Sequence, residues 1–266
     1  TDEPDSLGVQ DYLFLTIKSP ALLPSLKAMK PLIGKDTTII TCMNGIPHWY
    51  FHKLDNKYAN YKIKCLDPNL LIDTILPPDN IVGSVVYPAC EIVKPGTIKH
   101  IAGNRFSLGE PEGSESDRLK FISEILKRAG FRAPIQKNIR DEIWLKLIGN
   151  LSFNPISALT GATLEQICND RGTEAIVKAM MTEAKIIAEK LGAKINMSIE
   201  KRIDGARKVG AHKTSMLQDI EAGKPIEIDS IIIAVKELGE LTCSPTPYID
   251  TILNLTLQKA KLIGCL

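Results

Sequence analysis

The stretch Ile139-Arg-Asp-Glu-Ile-Trp-Leu-Lys-Leu-Ile-Gly-Asn-Leu-Ser-Phe-Asn-Pro155 carries the most information in this chain. Its apolar residues recur with a helical period, yet Lys146, Asn150 and Asn154 fall at positions i, i+4 and i+8. Residues at this spacing share one face of an α-helix. Apolar neighbours surround them, and buried amides need hydrogen-bonding partners, so we predict that this face lines a ligand site. The alternative is a solvated stripe on a surface helix.

Length and composition limit the class of protein. A chain of 266 residues is natural for two domains, and 44% hydrophobic with 24% charged residues is typical of a globular protein. The net charge of +2, without a long basic run, gives no electrostatic reason to expect a nucleic acid or membrane partner. The chain has no apolar run near the ~20 residues that span a bilayer and no recognisable signal peptide.

Cysteine and histidine usage points to a compartment and argues against a metal. The six cysteines are scattered without a CxxC pair, which indicates reduced thiols and a cytoplasmic location. Among the histidines only His48 and His52 have a spacing that could suit a metal ion, and their place after a proline and beside aromatic residues makes this a poor match. We therefore predict no metal site.

The first half of the chain alternates between strand and helix signals. Short apolar runs predict strands over 11–18, 37–43, 81–87 and 96–101, with 104–109 pairing with the last of these as a hairpin. Helical spacing predicts helices over 20–32 and 116–129. Strand, helix and strand with short links imply a parallel sheet with helical crossovers.

After about residue 138 the pattern changes to helices only. The predicted helices cover 139–158, 163–169, 171–192, 197–208, 213–222, 226–242 and 246–263. The front of the chain differs from a usual nucleotide-binding sheet, which should open with a strand, Gly-x-Gly-x-x-Gly and a helix. Nothing of that kind precedes Asp11, so the first predicted strand looks like a middle strand.

The chain resembles the ketopantoate reductase (2-dehydropantoate 2-reductase) family from about Asp11 to its end. The segments that carry this resemblance, by their joint order and spacing, are Leu15-Thr-Ile-Lys18, Met43-Asn-Gly-Ile-Pro47, Gly96-Thr-Ile-Lys-His100, Leu108-Gly-Glu-Pro-Glu-Gly113, Glu142-Ile-Trp-Leu-Lys-Leu-Ile-Gly-Asn150, Phe153-Asn-Pro-Ile-Ser-Ala-Leu159, Ser215-Met-Leu-Gln-Asp-Ile-Glu-Ala-Gly223 and Ile226-Glu-Ile-Asp229.

The resemblance implies a fold and an activity. The fold is an α/β Rossmann-like part over 1–137, incomplete because its first βαβ unit is absent, followed by an all-α C-terminal domain over 138–266, with the active site in the cleft between them. The activity is NADPH-dependent reduction of the 2-keto acid ketopantoate to pantoate, a step of pantothenate and coenzyme A biosynthesis. A small-molecule 2-keto acid is thus the expected partner, and a homodimer is compatible with the resemblance.

The resemblance also implies roles for individual residues: catalysis by Lys146, substrate binding by Asn150, Asn154 and Ser215, and cofactor binding by Lys18, Asn44 and Glu227. The role of Lys146 is that of a general acid. Hydride addition to a ketone builds negative charge on its oxygen, and an ammonium group can stabilise that charge and deliver a proton.

Each of these residues also has an ordinary structural explanation. Asn150 and Asn154 would then be helix caps near Pro155, an explanation that suits Asn154 better, and Ser215 would be an N-cap. Glu227 would be a carboxylate favoured by the dipole at a helix start, and Asn44 part of a turn. Lys146 would be a helix lysine with its charged head in water, and Lys18 a solvent-facing lysine at a strand end.

Two departures from the family pattern leave other functions open. The Gly-rich phosphate loop is missing, and a family asparagine that contacts substrate in some members is replaced by Leu164. One alternative is a truncated, non-catalytic remnant that acts as a binding or dimerising module. Another is a related reductase for a different 2-keto acid. Without its preceding strand, 11–18 would be an exposed sheet edge, so we expect a polypeptide starting at Thr1 to bind NADPH poorly and to self-associate.

Overall fold

The computed structural model describes residues 2–266, which divide into two compact units. The first unit contains the residues up to Tyr61 together with Leu70–Glu142, and the second contains Lys62–Asn69 together with Ile143–Leu266. A short segment from the first half of the chain therefore belongs to the second unit. The domain boundary after residue 137 stays a prediction.

The first unit contains a sheet of four strands and a separate hairpin of two strands. Its six strands are β1 (Tyr12–Leu15), β2 (Thr38–Thr41), β3 (Ile81–Val86), β4 (Ala89–Lys94), β5 (Thr97–Ala102) and β6 (Phe106–Gly109), and its first two helices are α1 (Leu22–Met29) and α2 (Ile72–Ile75). The sheet has the order β1-β2-β3-β6, with β1, β2 and β3 parallel. This arrangement confirms the predicted parallel sheet, and β1 lies at its edge among the described strands.

The predicted hairpin between 96–101 and 104–109 is wrong. Strand β6 pairs antiparallel with β3, whereas β5 pairs with β4, a strand that the sequence analysis did not identify. The cause is local turn chemistry. Gly96 has φ of 75° and closes the β4–β5 hairpin, and Gly103, with φ of 73°, then turns the chain away from β5.

The core of the first unit lies between one face of the sheet and α3 (Asp117–Arg128). Ser116 caps this helix by accepting a hydrogen bond from the N–H of Leu119, and the basic residues of its last turn suit the helix dipole. The cluster consists of Ile40, Val82 and Leu108 from the sheet, Leu119, Ile122 and Leu126 from α3, and Ala133. Burial of these side chains holds β2, β3 and β6 in place.

The second unit is helical, as predicted. Its helices are α4 (Ile139–Thr160, whose first residues belong to the first unit), α5 (Leu164–Asn169), α6 (Arg171–Lys190), α7 (Ile199–Val209), α8 (Ser215–Glu221), α9 (Ala234–Leu241) and α10 (Pro247–Ile263), with a π-helical turn at Asp229–Ile233. Helix α6 packs against α5, α7, α9 and α10 and is the centre of this unit. Along the described residues, no helix combines the length and the apolar character that crossing a membrane requires.

Candidate active site

Lys18 and Asn44 lie just beyond the carboxyl ends of two neighbouring strands of the sheet. The last residues of the parallel strands β1 and β2, Leu15 and Thr41, are paired, and Lys18 and Asn44 each follow at the third position. The N–H of Cys42 donates to the carbonyl of Leu15 at 2.9 Å, so the two chains remain paired just beyond the strands. Ligands of open parallel sheets bind beyond these carboxyl ends. Lys18 is exposed and Asn44 is half-buried.

The loop over residues 44–52, which we call the Asn44 loop, is held against the sheet. Gly45 has φ of 85°, a conformation that favours glycine, so the Asn44-Gly45 turn predicted from the sequence is present. The indole Nε1 of Trp49 donates to the hydroxyl of Thr41 at 3.1 Å. A Cβ on Gly83 would lie 2.6 Å from the indole ring, so only glycine at that position of β3 lets Trp49 pack there.

Helix α4 places Lys146, Asn150 and Asn154 on one face. The helix runs without a break from Ile139 to Thr160 although Pro155 lies inside it. Asn150 and Asn154 are therefore in the helix interior, and the alternative that they cap a helix end is wrong. The side chain of Asn154 is buried with 5% exposure, whereas Lys146 and Asn150 are half-buried. This face is not the solvated stripe of a surface helix.

The amide of Asn154 has an unused donor. Its Nδ2 atom is buried and finds no hydrogen-bond partner among the described residues. An unpaired buried donor typically costs about 1–3 kcal/mol, and native proteins seldom keep one without a purpose. An acceptor oxygen of a bound ligand would satisfy it. The position is thus suited to a substrate with carboxylate, keto or hydroxyl oxygens.

Lys146 has the electrostatic environment of a proton donor. Burial disfavours its ammonium form and lowers its pKa from 10.5 to about 8, and the nearby carboxylate of Glu227 opposes that shift. Glu227 is itself buried, with 5% exposure. An ammonium group whose pKa lies near neutral pH can both stabilise a developing oxyanion and release its proton. The fold therefore brings together two predicted residues that are 81 positions apart in the sequence.

Ser215 and Glu227 occupy the starts of two helical segments. Thr214, not Ser215, is the N-cap of α8, because the Thr214 side chain accepts a hydrogen bond from the N–H of Leu217. The alternative that Ser215 serves as the N-cap is wrong. Ser215 is the first residue of α8 and is exposed. Glu227 comes just before the π-helical turn at Asp229–Ile233, and such turns occur frequently at functional sites.

The segment 62–69 belongs to the helical unit, although nothing in its sequence predicts this. The carboxylate of Glu237 accepts the main-chain N–H groups of Lys64 and Cys65 at 2.7 and 2.9 Å. This pairing joins residues separated by about 170 positions, and neither side carries a local motif. No sequence pattern could have revealed it. Leu164, the departure from the family pattern, opens α5 and donates its N–H to the carbonyl of His212.

Comparison with known proteins identifies the family. The first unit has the parallel strands of a Rossmann-like fold, and the helices of the second unit follow it in the sequence. The family description "Ketopantoate reductase PanE/ApbA" matches residues 1–113, and "Ketopantoate reductase PanE/ApbA C terminal" matches residues 138–260. The chain belongs to the ketopantoate reductase family.

Individual relatives agree with this assignment. The chain is 48% identical to a 2-dehydropantoate 2-reductase of Mesorhizobium japonicum over 98% of this chain and 80% of the relative. A crystal structure from Ralstonia solanacearum MolK2, assigned as a ketopantoate reductase, has a TM-score of 0.95 and 39% identity over 100% of this chain and 81% of that chain. A ternary structure of D-mandelate dehydrogenase with NADH and anilino(oxo)acetate shares the fold, with a TM-score of 0.80 and 22% identity over 97% and 78%.

The side chains of Lys18 and Asn44, beyond the carboxyl ends of β1 and β2, are chemically compatible with a nicotinamide dinucleotide. The exposed ammonium of Lys18 can meet a phosphate charge, and the amide of Asn44 can donate to and accept from ribose hydroxyls. Both follow paired ends of parallel strands, where such cofactors bind in open α/β sheets. On the helical unit, the unpaired donor of Asn154 fits an oxygen-rich substrate.

Proposed function

We propose that this chain catalyses the NADPH-dependent reduction of 2-dehydropantoate to pantoate, the step that supplies pantoate for pantothenate and coenzyme A biosynthesis. Family membership supports the reaction, and the environment of Lys146 is the observation that carries the mechanism. NADPH, when bound, supplies the hydride that reduces the keto carbon. The chain's own residues orient the keto acid, stabilise the charge on its oxygen and deliver the proton.

Lys146 acts as the general acid. Its ammonium points its charge at the keto oxygen, where negative charge builds during reduction, and its proton completes the hydroxyl of the product. The lowered pKa of about 8 keeps the group mostly protonated at pH 7 while making proton release easier than from an ordinary lysine. Glu227 helps to keep the Lys146 ammonium charged between turnovers, because its carboxylate raises the pKa that burial lowers.

Asn150, Asn154 and Ser215 bind the substrate. Asn154 donates its buried Nδ2–H to a substrate oxygen, which satisfies the donor that is otherwise unpaired. Asn150 lies one helical turn from Lys146 on the same face and adds a second amide without adding charge. The hydroxyl of Ser215 is exposed at the start of α8 and available for a carboxylate oxygen.

Lys18 and Asn44 bind the cofactor at the carboxyl ends of β1 and β2, and Glu227 contributes a carboxylate on the cofactor side. Support for the first two comes from their common position beyond paired strand ends. The assignment of residues 1–137 to the nucleotide-binding domain and 138–266 to the helical domain belongs to the same proposal. The proposal also includes a homodimer and a cytoplasmic location for this chain.

Lys146→Ala tests the proposal. Because removal of an oxyanion-stabilising donor typically costs about 10²–10³ in rate, kcat for 2-dehydropantoate should fall by that factor with an unchanged circular dichroism spectrum. The measurement is NADPH oxidation in the full natural chain. Lys178→Ala is the control, since Lys178 is an exposed lysine paired with Glu200 at 2.9 Å on the helical unit. A Lys146→Ala rate within a few-fold of wild type would exclude the general-acid role.

A related reductase for another 2-keto acid remains the second candidate. The apolar Leu164, where some family members have an asparagine, is the observation that favours it. The same assay decides between them through kcat/KM for 2-dehydropantoate and for phenylglyoxylate, an aromatic 2-keto acid. A higher kcat/KM for phenylglyoxylate would replace the proposed substrate while leaving the proposed reaction unchanged.

A further inference from the structure

We propose that Arg140 is a positioning residue for the cofactor: its guanidinium fixes the Asn44 loop and thereby sets the affinity for NADPH. This inference rests on the proposed function, because Asn44 is its proposed cofactor residue. Arg140 is the second residue of α4 and belongs to the same unit as the loop. It is buried, with 4% exposure.

Three different nitrogens of Arg140 bind three main-chain carbonyls. Nε donates to Tyr50 at 2.7 Å, Nη2 donates to His52 at 2.7 Å, and Nη1 donates to Pro111 at 2.5 Å. Two of these acceptors lie in the Asn44 loop and the third follows β6. The guanidinium also lies 5.5 Å from the centre of the Tyr50 ring, within range of a cation–π contact. The Arg140 side chain thus attaches the last residues of the Asn44 loop to α4.

A charged group in this position carries a cost of burial. Burial lowers the pKa of Arg140, which records the cost of removing the guanidinium from water. The three carbonyls and the charge of Glu112 offset part of that cost. An apolar residue would avoid the cost of burying a charge but would leave the three carbonyls without a donor. What arginine adds is a planar set of donors at fixed angles, which a lysine ammonium cannot reproduce.

The second half of the Asn44 loop is consequently attached to the rest of the unit by two side chains, those of Trp49 and Arg140. Trp49 is bound to Thr41 and packs on Gly83, and Arg140 holds the carbonyls of Tyr50 and His52. Two overlapping hydrogen-bonded turns, from Pro47 to Tyr50 and from Trp49 to His52, contain these attachment points. At the other end, Asn44 follows two residues after Cys42, whose N–H is bound to the carbonyl of Leu15, so both ends of the loop are attached before the cofactor arrives. Binding to an ordered loop avoids the entropy cost of fixing it.

Arg140→Lys in the full natural chain provides the test. Lysine keeps the charge but cannot hold three separate carbonyls. We expect the Kd for NADPH, measured by fluorescence without substrate, to rise about tenfold, and the KM for NADPH to follow it. At saturating NADPH, kcat and the KM for 2-dehydropantoate should change by less than about threefold.

Arg118→Lys is the matched control. Arg118 belongs to the same unit and donates to the carbonyls of Asp79 and Ile81 as well as to Glu110, but none of these acceptors lies in the Asn44 loop. The Arg118→Lys variant should have a lower melting temperature and an unchanged Kd for NADPH. If both variants lose stability equally and neither changes that Kd, Arg140 is only structural and the inference fails.

A wild-type experiment covers the case in which Arg140→Lys does not fold. Amide hydrogen exchange over residues 44–52 should already be slow without NADPH and should slow by less than about threefold when NADPH is added. A loop that becomes protected more than about tenfold on binding is ordered by the cofactor, which would overturn the inference. A wild-type protein that binds NADPH but does not reduce 2-dehydropantoate would refute the proposed function and leave the role of Arg140 standing.

Discussion

At the residue scale, two opposing effects set the pKa of Lys146. Burial lowers its pKa to about 8, and the neighbouring carboxylate of Glu227 limits the decrease. The carboxylate of Glu227 thus lowers the cost of keeping the Lys146 ammonium charged. Removing that carboxylate tests the coupling.

Glu227→Gln should lower the pKa of Lys146 further, because burial then acts without the opposing attraction. Only protonated Lys146 can donate, so the rate falls as pH rises through this pKa. The alkaline limb of kcat/KM against pH, expected near pH 8 in the wild type, should move to lower pH. Glu200→Gln, which alters a carboxylate paired with Lys178 on the surface, should leave the limb in place. An unmoved limb in Glu227→Gln would contradict the coupling.

Asn154→Leu separates substrate binding from stability. The buried Nδ2 has no partner in the described chain, so an apolar side chain of similar size should not lower the melting temperature. Loss of the donor should raise the KM for 2-dehydropantoate by about tenfold, since a hydrogen bond to a charged group contributes about 1.5–3 kcal/mol.

Ser157→Ala is the control on the same helix. Its buried hydroxyl donates to the carbonyl of Ala162 at 2.6 Å, so its removal should lower the melting temperature and leave KM unchanged. The role of Asn154 is refuted if Asn154→Leu behaves like Ser157→Ala.

At the scale of elements, the strands and helices depend on small residues where another group approaches closely. The indole of Trp49 packs directly on Gly83 of β3, and this contact connects the sheet to the Asn44 loop. A glycine elsewhere can be a local weakness, because it raises the conformational entropy of the unfolded chain. Gly205 in α7 is such a position, with open space where a Cβ would lie.

The pair Gly83→Ala and Gly205→Ala should therefore change stability in opposite directions. Alanine at 83 would place its Cβ 2.6 Å from the Trp49 ring and 3.2 Å from the Gly109 carbonyl, and overpacking of this kind costs about 1–3 kcal/mol. Alanine at 205 meets nothing within 4 Å and should stabilise by about 0.5–1 kcal/mol. Urea denaturation measures both, and a stabilised Gly83→Ala would contradict the packing at β3.

On the scale of the whole molecule, exposure and long-range pairing determine which segments stay ordered. The β4–β5 hairpin is exposed over nearly its whole length and carries Ile92 and Ile98, which are 75% and 69% exposed. The segment 62–69 has no strand or helix, yet Glu237 holds two of its amides. Order in this segment comes from a side chain far along the sequence.

Limited trypsin digestion should cut the hairpin first, at Lys99, and should spare Lys62 and Lys64. Exposed, weakly packed segments open easily, whereas the amides bound by Glu237 hold residues 62–69 in place. In Glu237→Gln, cleavage at Lys62 or Lys64 should become as fast as in the hairpin. Glu240→Gln on the same helix is the control, since Glu240 is an exposed carboxylate near Lys236. Rapid cleavage at Lys64 in the wild type would show that the segment is not held.

Much of this protein was determined by local sequence. Helical spacing gave α4 and the shared face of Lys146, Asn150 and Asn154, because side-chain direction along a helix follows from its period. Short apolar runs located β1, β2 and β3, and the order of short motifs was sufficient to predict the family. Turn chemistry near Gly96 is also present in the sequence, but it does not by itself exclude a pairing of 96–101 with 104–109.

Only the tertiary structure decided which distant groups meet. The approach of Glu227 to Lys146, the unpaired donor of Asn154 and the carbonyls around Arg140 depend on packing between segments that share no periodic signal. The pairing of β6 with β3 and the attachment of 62–69 through Glu237 are of the same kind. The physical reason is that burial and charge compensation are properties of three-dimensional neighbours, and a sequence period reports only neighbours along one helix or strand.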